Sequence, residues 1–208
     1  LITKVNDISV TYRTSGEIIF KDNTKLELED DFSWNGRYYV YGYGKFQGSR
    51  TQLESAITLA YDTYGTVVDS NSKLVWKRYR STQASIDGIV PVTSGDSIVN
   101  AVVAVSNYLG ADFNAVSYME QGHTAVETFD NIRGVHGISL TGITYEKALS
   151  YVGDGSPVIA RIGEDEYIII TAYNSSEIAY IEASTGAQKT ASMNEAGKMF
   201  SQGGNIYV

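Results

Sequence analysis

SPVIARIGEDEYIIITAYNSSEIAYIEASTGAQKTASMNEAGKMF, running from Ser156 to Phe200, is the stretch whose reading decides the fold. Its β-branched and aromatic runs predict three strands, Pro157 to Ile162, Tyr167 to Tyr173 and Ile178 to Glu182. Asn174-Ser175-Ser176 and Ser184-Thr185-Gly186 supply the turns, since short polar side chains and glycine suit a tight backbone. A terminal helix is expected to begin near Asn194 as its N-cap and to bury Met199 and Phe200.

Upstream of these strands the periodicity is helical. Ser94-Gly95-Asp96-Ser97 leads into IVNAVVAVSNYLG, where Ile98, Ala101, Val102, Val105 and Leu109 share a face that Val99 and Val103 widen. A helix apolar on most sides is a buried one. Asp96 or Ser97 is its expected N-cap and Gly110 its C-cap. Helices follow over Val116 to Glu120, over Thr124 to Asn131 with a Thr124/Glu127 capping box, and over Thr144 to Val152. Helices first and an antiparallel sheet afterwards make the fold class α+β.

The N-terminal part reads differently. Residues 1–48 alternate as strands of a meander, with turns at Ser15-Gly16, Asp22-Asn23 and Asn35-Gly36. The cluster Glu27, Glu29, Asp30, Asp31 lacks the spaced ligands and turn glycine of a calcium loop and reads as a solvated edge. A strand, helix, strand unit follows. Tyr38 to Tyr41 opens it, Thr51 caps a helix whose stripe is Leu53, Ala56, Ile57, Ala60, Tyr61 and Tyr64, and Gly65 stops that helix. Thr66 to Val68 and Leu74 to Trp76 then form a hairpin. Tyr39, Tyr41, Tyr43, Phe46 and Trp76 are either a sugar or peptide platform or, as preferred here, tyrosines alternately packed on the helix and exposed. Lys77-Arg78-Tyr79-Arg80 reads as a solvated strand end. Thr82 to Val92 is the seam, so the expected domains are 1–85, a small tyrosine-rich β-rich α/β module, and 86–208.

Bulk properties narrow the function classes. The 208 residues carry a formal charge of −8, which sets the chain against nucleic-acid and anionic-membrane binding because phosphates are repelled. Cysteine is absent, which excludes disulfides, a thiolate nucleophile and cysteine-held metal sites. No apolar run reaches the ~18 residues of a membrane span, so direct membrane insertion is not expected. The chain begins at Leu1, and an upstream segment carrying an export signal or anchor is expected.

Three segments in order resemble the C39-like peptidase family of papain-like folds. Its catalytic cysteine opens a helix in a D-C-G-P pattern followed by a small apolar run and N-Y-L-G; this chain has Asp96-Ser97, the apolar run, and Asn107-Tyr108-Leu109-Gly110. Its C-terminal pattern, G-x-P-V-I, H-Y-V-V-V-x-G-Y, D-P-x-x-G, is similar to Gly155 to Ile159, Glu166 to Tyr173, and Glu182 to Gly186. The resemblance spans roughly residues 90–205 and implies a papain-like, C39-type domain of helices on an antiparallel sheet. The N-terminal unit YYVYGYGKFQG also resembles a module attached to such domains in exported proteins of Gram-positive bacteria.

The departures bear on chemistry. A papain-like mechanism needs a thiolate, an imidazole base, a group orienting that base, and an oxyanion donor. Ser97 stands at the cysteine position, Glu166 at the histidine and Glu182 at the acid partner, while Pro91 and Thr93 occupy the region where the family has a glutamine. A glutamate, with an ordinary pKa of about 4.3, is a poor base for a hydroxyl. The implied function is a catalytically inactive pseudo-peptidase, a pseudoenzyme that binds a peptide or protein in a secreted or cell-surface bacterial assembly. Catalytic residues and cofactors are not expected; the binding residues implied are Ser97, Glu166, Tyr167, Tyr173 and Glu182, whose carboxylates favour a cationic peptide.

The rival is an active serine hydrolase using Ser97 with His123 or His136 as base. Gly95-Asp96-Ser97-Ile98 resembles the first block of GDSL-type esterases, but neither histidine follows an aspartate by three residues near the C-terminus as that family requires. Metal binding by the two histidines with Glu120 or Glu127 has no ligand spacing to recommend it. Gly203-Gly204 lacks the lysine and strand context of a phosphate loop.

Overall fold

The computed structural model describes residues 36–78 and 83–208, together with the backbone of four short strands nearer the N-terminus. The turns at Ser15-Gly16 and Asp22-Asn23, Asn35, the acidic residues Glu29, Asp30 and Asp31, Tyr79 and Arg80 of the basic run, and Thr82 lie outside the described residues. The chain divides into two compact units, Leu1–Arg78 and Tyr79–Val208. Both combine strands with antiparallel pairing, and helices complete an α+β fold.

In the first unit β1 (Ile2–Val5), β2 (Ile8–Tyr12), β3 (Glu17–Phe20) and β4 (Lys25–Glu27) form an antiparallel meander. A second sheet orders β5 (Tyr38–Gly42), β6 (Lys45–Arg50), β7 (Thr66–Asp69) and β8 (Leu74–Lys77) as β6-β5-β7-β8, with α1 (Leu53–Asp62) packed on it. Ala56, Ile57 and Ala60 of α1 meet a core containing Val40, Val67 and Trp76, all buried as the apolar stripe requires. Tyr39 and Tyr41 are buried too, so the five aromatics make no common platform. Thr51 does not cap α1; Gln52 holds the N-cap position without a side-chain bond.

The end of α1 also departs from expectation. Gly65 N–H bonds to the Ala60 carbonyl at 2.7 Å and Tyr64 N–H to the Tyr61 carbonyl at 3.4 Å, the two bonds of a Schellman motif. The left-handed residue of that motif is Tyr64, at φ 52°, and not the glycine. Gly65 serves another need, because a Cβ there would run into the Tyr41 carbonyl. Tyr43 and Gly44, at φ 50° and 77°, form the two-residue loop between β5 and β6, a type I′ turn that ordinarily takes Asn-Gly. A bulky residue in this region costs about 1–3 kcal/mol. The Tyr43 and Tyr64 rings meet at 6.0 Å, and such a tilted pair returns only about 0.5–1.5 kcal/mol.

The second unit is built on one sheet in the order β10-β15-β11-β12-β13-β14. Its strands are β9 (Ala84–Ser85), β10 (Leu140–Thr141), β11 (Val158–Arg161), β12 (Tyr167–Tyr173), β13 (Glu177–Glu182), β14 (Gln188–Ser192) and β15 (Ile206–Tyr207). Its helices are α2 (Ser97–Tyr108), α3 (Ala115–Glu120), α4 (Ala125–Asp130), α5 (Tyr145–Gly153) and α6 (Met193–Gln202). Ile168, Ile169 and Ile170 are all buried, and because successive strand residues point to opposite faces, β12 is covered on both. Helix α2 packs on β12, α5 on β11 and β12, and α6 on β13 and β14.

β9 pairs with Ala172 and Tyr173 of β12, beyond the reach of β11, and therefore belongs to the second unit. The boundary falls after Arg78, earlier than the expected 85/86 position. Helix α2 ends in a Schellman motif with Gly110 at φ 78°, its bonds running from Gly110 N–H to the Asn107 carbonyl and from Ala111 N–H to the Ser106 carbonyl. The expected Thr124/Glu127 capping box of α4 is present. For α6 the N-cap is Ser192, in a capping box with Glu195, and not Asn194. No helix among the described residues is long and apolar enough to cross a membrane.

Candidate functional site

The first turn of α2 lies against the start of β12 and the end of β13. Ser97, half-buried, opens the helix; its hydroxyl oxygen accepts the Tyr167 N–H at 2.9 Å and its hydroxyl donates to the Tyr167 carbonyl at 3.4 Å. That carbonyl also accepts the Ala183 N–H at 3.0 Å. One helical turn on, Asn100 is buried. Its amide nitrogen donates to the carbonyls of Gly95 at 2.7 Å and Ala183 at 3.0 Å, and its amide oxygen accepts the Gly95 N–H at 2.8 Å. Both amide protons are thus used, as burial of a polar group demands. Ser97, Tyr167, Ala183, Asn100 and Gly95 form a continuous polar belt tying three segments together. Asp96 occupies the N-cap position of α2 but makes no side-chain cap bond.

Glu166 is exposed and closes the β11–β12 turn through its backbone, its carbonyl accepting the Ile162 N–H at 2.9 Å. Glu182 pairs with Ile168 across β12 and β13. Its carboxylate accepts from Lys189 Nζ at 2.8 Å and from the Thr185 hydroxyl at 2.6 Å. The Lys189 bond first, and the Thr185 bond second, hold the Glu182 carboxyl below its ordinary range. Lys189 of β14 is shifted upward, chiefly by Glu182, with Glu166 adding to the same field. A cation of the chain itself thus stands against the Glu182 carboxylate.

Of the expected binding residues, Ser97, Glu166, Tyr167 and Glu182 gather at one end of β12. Tyr173 does not join them: it lies at the other end of the strand, ~20 Å away at the usual rise per residue, beside Ala84. Asn100, Ala183 and Lys189 were not singled out from sequence. Gly186 brings a further segment to this end, since a Cβ on it would press on Pro91 and Thr93 at 3.1 Å.

The histidines are engaged elsewhere. The His123 ring stacks on Tyr118 at 3.9 Å, with Nδ1 3.9 Å from the Glu127 carboxylate. His136 Nδ1 lies 2.7 Å from Asp130, whose same oxygen accepts the Gly137 N–H. Ser97 thus has backbone partners and no imidazole. Among the described residues, no group of three or more His, Asp or Glu side chains is placed to hold a metal ion. A shallow cleft of about 410 Å³ lies between Tyr145 and the α6 residues Asn194, Gly197, Lys198 and Ser201, and includes none of the Ser97 group. No family model matches the chain, and neither a curated protein nor a solved structure matches it significantly.

Proposed function

We propose that the second unit is a catalytically inactive relative of the C39-like, papain-fold peptidases. It acts as a peptide- or protein-binding module of an exported or cell-surface bacterial protein. The observation that carries this reading is the bond from Tyr167 N–H to the Ser97 hydroxyl at 2.9 Å. It supports a family-like frame, since the residue at the nucleophile position touches the residue beside the histidine position. It also supports inertness: a hydroxyl bonded to a backbone amide and carbonyl, with no base among its partners, is not an activated nucleophile. The resemblance of the N-terminal unit to modules of exported proteins supports the location.

Restoring the missing groups tests the frame. In Ser97→Cys/Glu166→His the thiol should be alkylated by iodoacetamide at pH 6 about tenfold faster than in Ser97→Cys alone, as a thiolate–imidazolium pair lowers the thiol pKa. Equal rates in the two variants would remove the papain-like reading. Labelling of the native chain by a fluorophosphonate, lost in Ser97→Ala, would instead favour a serine hydrolase.

A further inference from the structure

We infer that the open edge of β14 takes an extended, basic segment of a partner protein as an added strand. The register of β13 and β14 runs without a bulge from Glu177 opposite Ser192 to Ile181 opposite Gln188. At its two ends the Glu182 N–H bonds to the Ala187 carbonyl and the Met193 N–H to the Ser176 carbonyl, both at 2.9 Å. Bonded and non-bonded pairs alternate along an antiparallel ladder, so Lys189 and Ala191, like Ala187 and Met193, turn their backbone groups toward β13. Gln188 and Thr190 turn theirs outward, and there the N–H and C=O of both residues have no partner among the described residues. The Ser192 N–H is taken by the Glu195 carboxylate at 2.9 Å, which ends the row of open donors.

The usual guards of an edge are missing or turned aside. Proteins blunt an edge with proline, a bulge, a very short strand or an outstanding lysine. β14 is a regular strand of five residues without proline, whereas β10 at the other edge of the sheet has only two. Its one lysine, Lys189, is drawn back to Glu182 of β13 at 2.8 Å. Gln188, Lys189 and Thr190 are all exposed. Two donors and two acceptors repeating at the two-residue interval of a strand are matched by another extended backbone.

Charge gives the occupant its sign. Residues 1–78 are formally neutral, so residues 79–208 hold the whole charge of −8. Around β14, Glu177, Glu182 and Glu195 are joined by Glu166, whose field reaches Lys189, and only Lys189 and Lys198 oppose them. A second copy would bring the same acidic surface against this one, which sets a basic strand ahead of self-pairing. Strand addition here is independent of the C39-like resemblance, since none of its bonds involves Ser97, Glu166 or Tyr167.

The probe is an acetylated, amidated heptapeptide alternating lysine with threonine and valine, titrated into the full chain while hydrogen exchange at the Gln188 and Thr190 amides is followed by NMR. It should bind with a Kd of about 10 μM–1 mM and, at saturation, slow exchange at both amides about tenfold or more. The counterpart with glutamate for lysine should bind at least about tenfold more weakly, and added NaCl should weaken the lysine peptide. Thr190→Pro should abolish the protection at Gln188 yet keep the native Tm, because the N–H it removes is not bonded within the sheet. The lysine peptide N-methylated at its backbone amides, which tests the same bonds without altering the protein, should not bind. Strand addition is overturned if neither amide is protected up to about 5 mM peptide. Binding that survives N-methylation overturns it too, as does equal binding of the glutamate peptide. Protection that rises with protein concentration alone would overturn it by giving the edge to a second copy.

Discussion

Asn100 in the second turn of α2 donates to the carbonyl of Ala183 at 3.0 Å, a bond that spans most of the second unit's sequence. The same amide closes on both backbone atoms of Gly95. Asn100→Ala removes the donor to the buried Ala183 carbonyl, and with it the bonds to the more exposed Gly95. The expected loss is about 1–3 kcal/mol, read as a lower urea midpoint with an unchanged slope. A loss below about 0.5 kcal/mol would mean that the belt does not hold α2 to the sheet.

Three carboxyls of the second unit are held below their ordinary range. For Glu182 the first cause is Lys189, for Glu127 the backbone N–H of Thr124, and for Glu195 the side chain of Ser192. A depressed folded-state pKa contributes stability that is present above the unfolded value, about 4.3, and lost as pH falls through the folded value. Stability should therefore decline on acidification below about pH 5. Lys189→Met should flatten that decline by removing the leading cause at Glu182. An acid limb unchanged by Lys189→Met, measured by thermal unfolding across this range, would contradict the pairing.

The start of α6 distinguishes two residues of cap-forming type, Ser192 and Asn194. Ser192→Ala removes a capping box and should destabilise by about 1 kcal/mol. Asn194→Ala, inside the first turn, should be close to neutral. The order of the two Tm values decides, and the reverse order would return the cap to Asn194.

Gly203 follows α6 at a negative φ, but a Cβ there would overlap the Arg161 carbonyl. Gly203→Ala should thus cost at least about 2 kcal/mol through steric overlap alone. Gly155→Ala should act by the other route, since Gly155 has open space and φ 88°. Crystal structures of both variants would show a displaced β11 in the first and an unchanged sheet in the second.

Elements whose burial matched their local chemistry were readable in sequence. α2 and the three strands β11 to β13 carry nearly continuous apolar runs, and Thr124/Glu127 states its capping box outright. β14 was missed because Gln188, Lys189 and Thr190 are exposed and only Ala191 is buried, so an edge strand looks like a loop. The α6 cap was legible in Ser192-x-x-Glu195, but Asn194 competed for it. At the candidate site, the grouping of Ser97 with Tyr167 came only from what the C39-like resemblance implied. Asn100 did not, because a polar residue in an apolar helix shows that it needs a partner without naming one. Tyr173 was misplaced for want of counting: a seven-residue strand separates its two ends by ~20 Å.

The pairing of β9 with the Tyr173 end of β12 anchors the start of the second unit. Chain entering the second unit is fastened by Ala84 and Ser85 on β12, and then by the Ile86 N–H on the Thr171 carbonyl at 2.7 Å. The pairs from Tyr167 to Ile170 with β11, and the polar belt at Ser97, lie at the other end of β12. β9 thus fixes where the chain enters the second unit, at the end of β12 opposite Ser97.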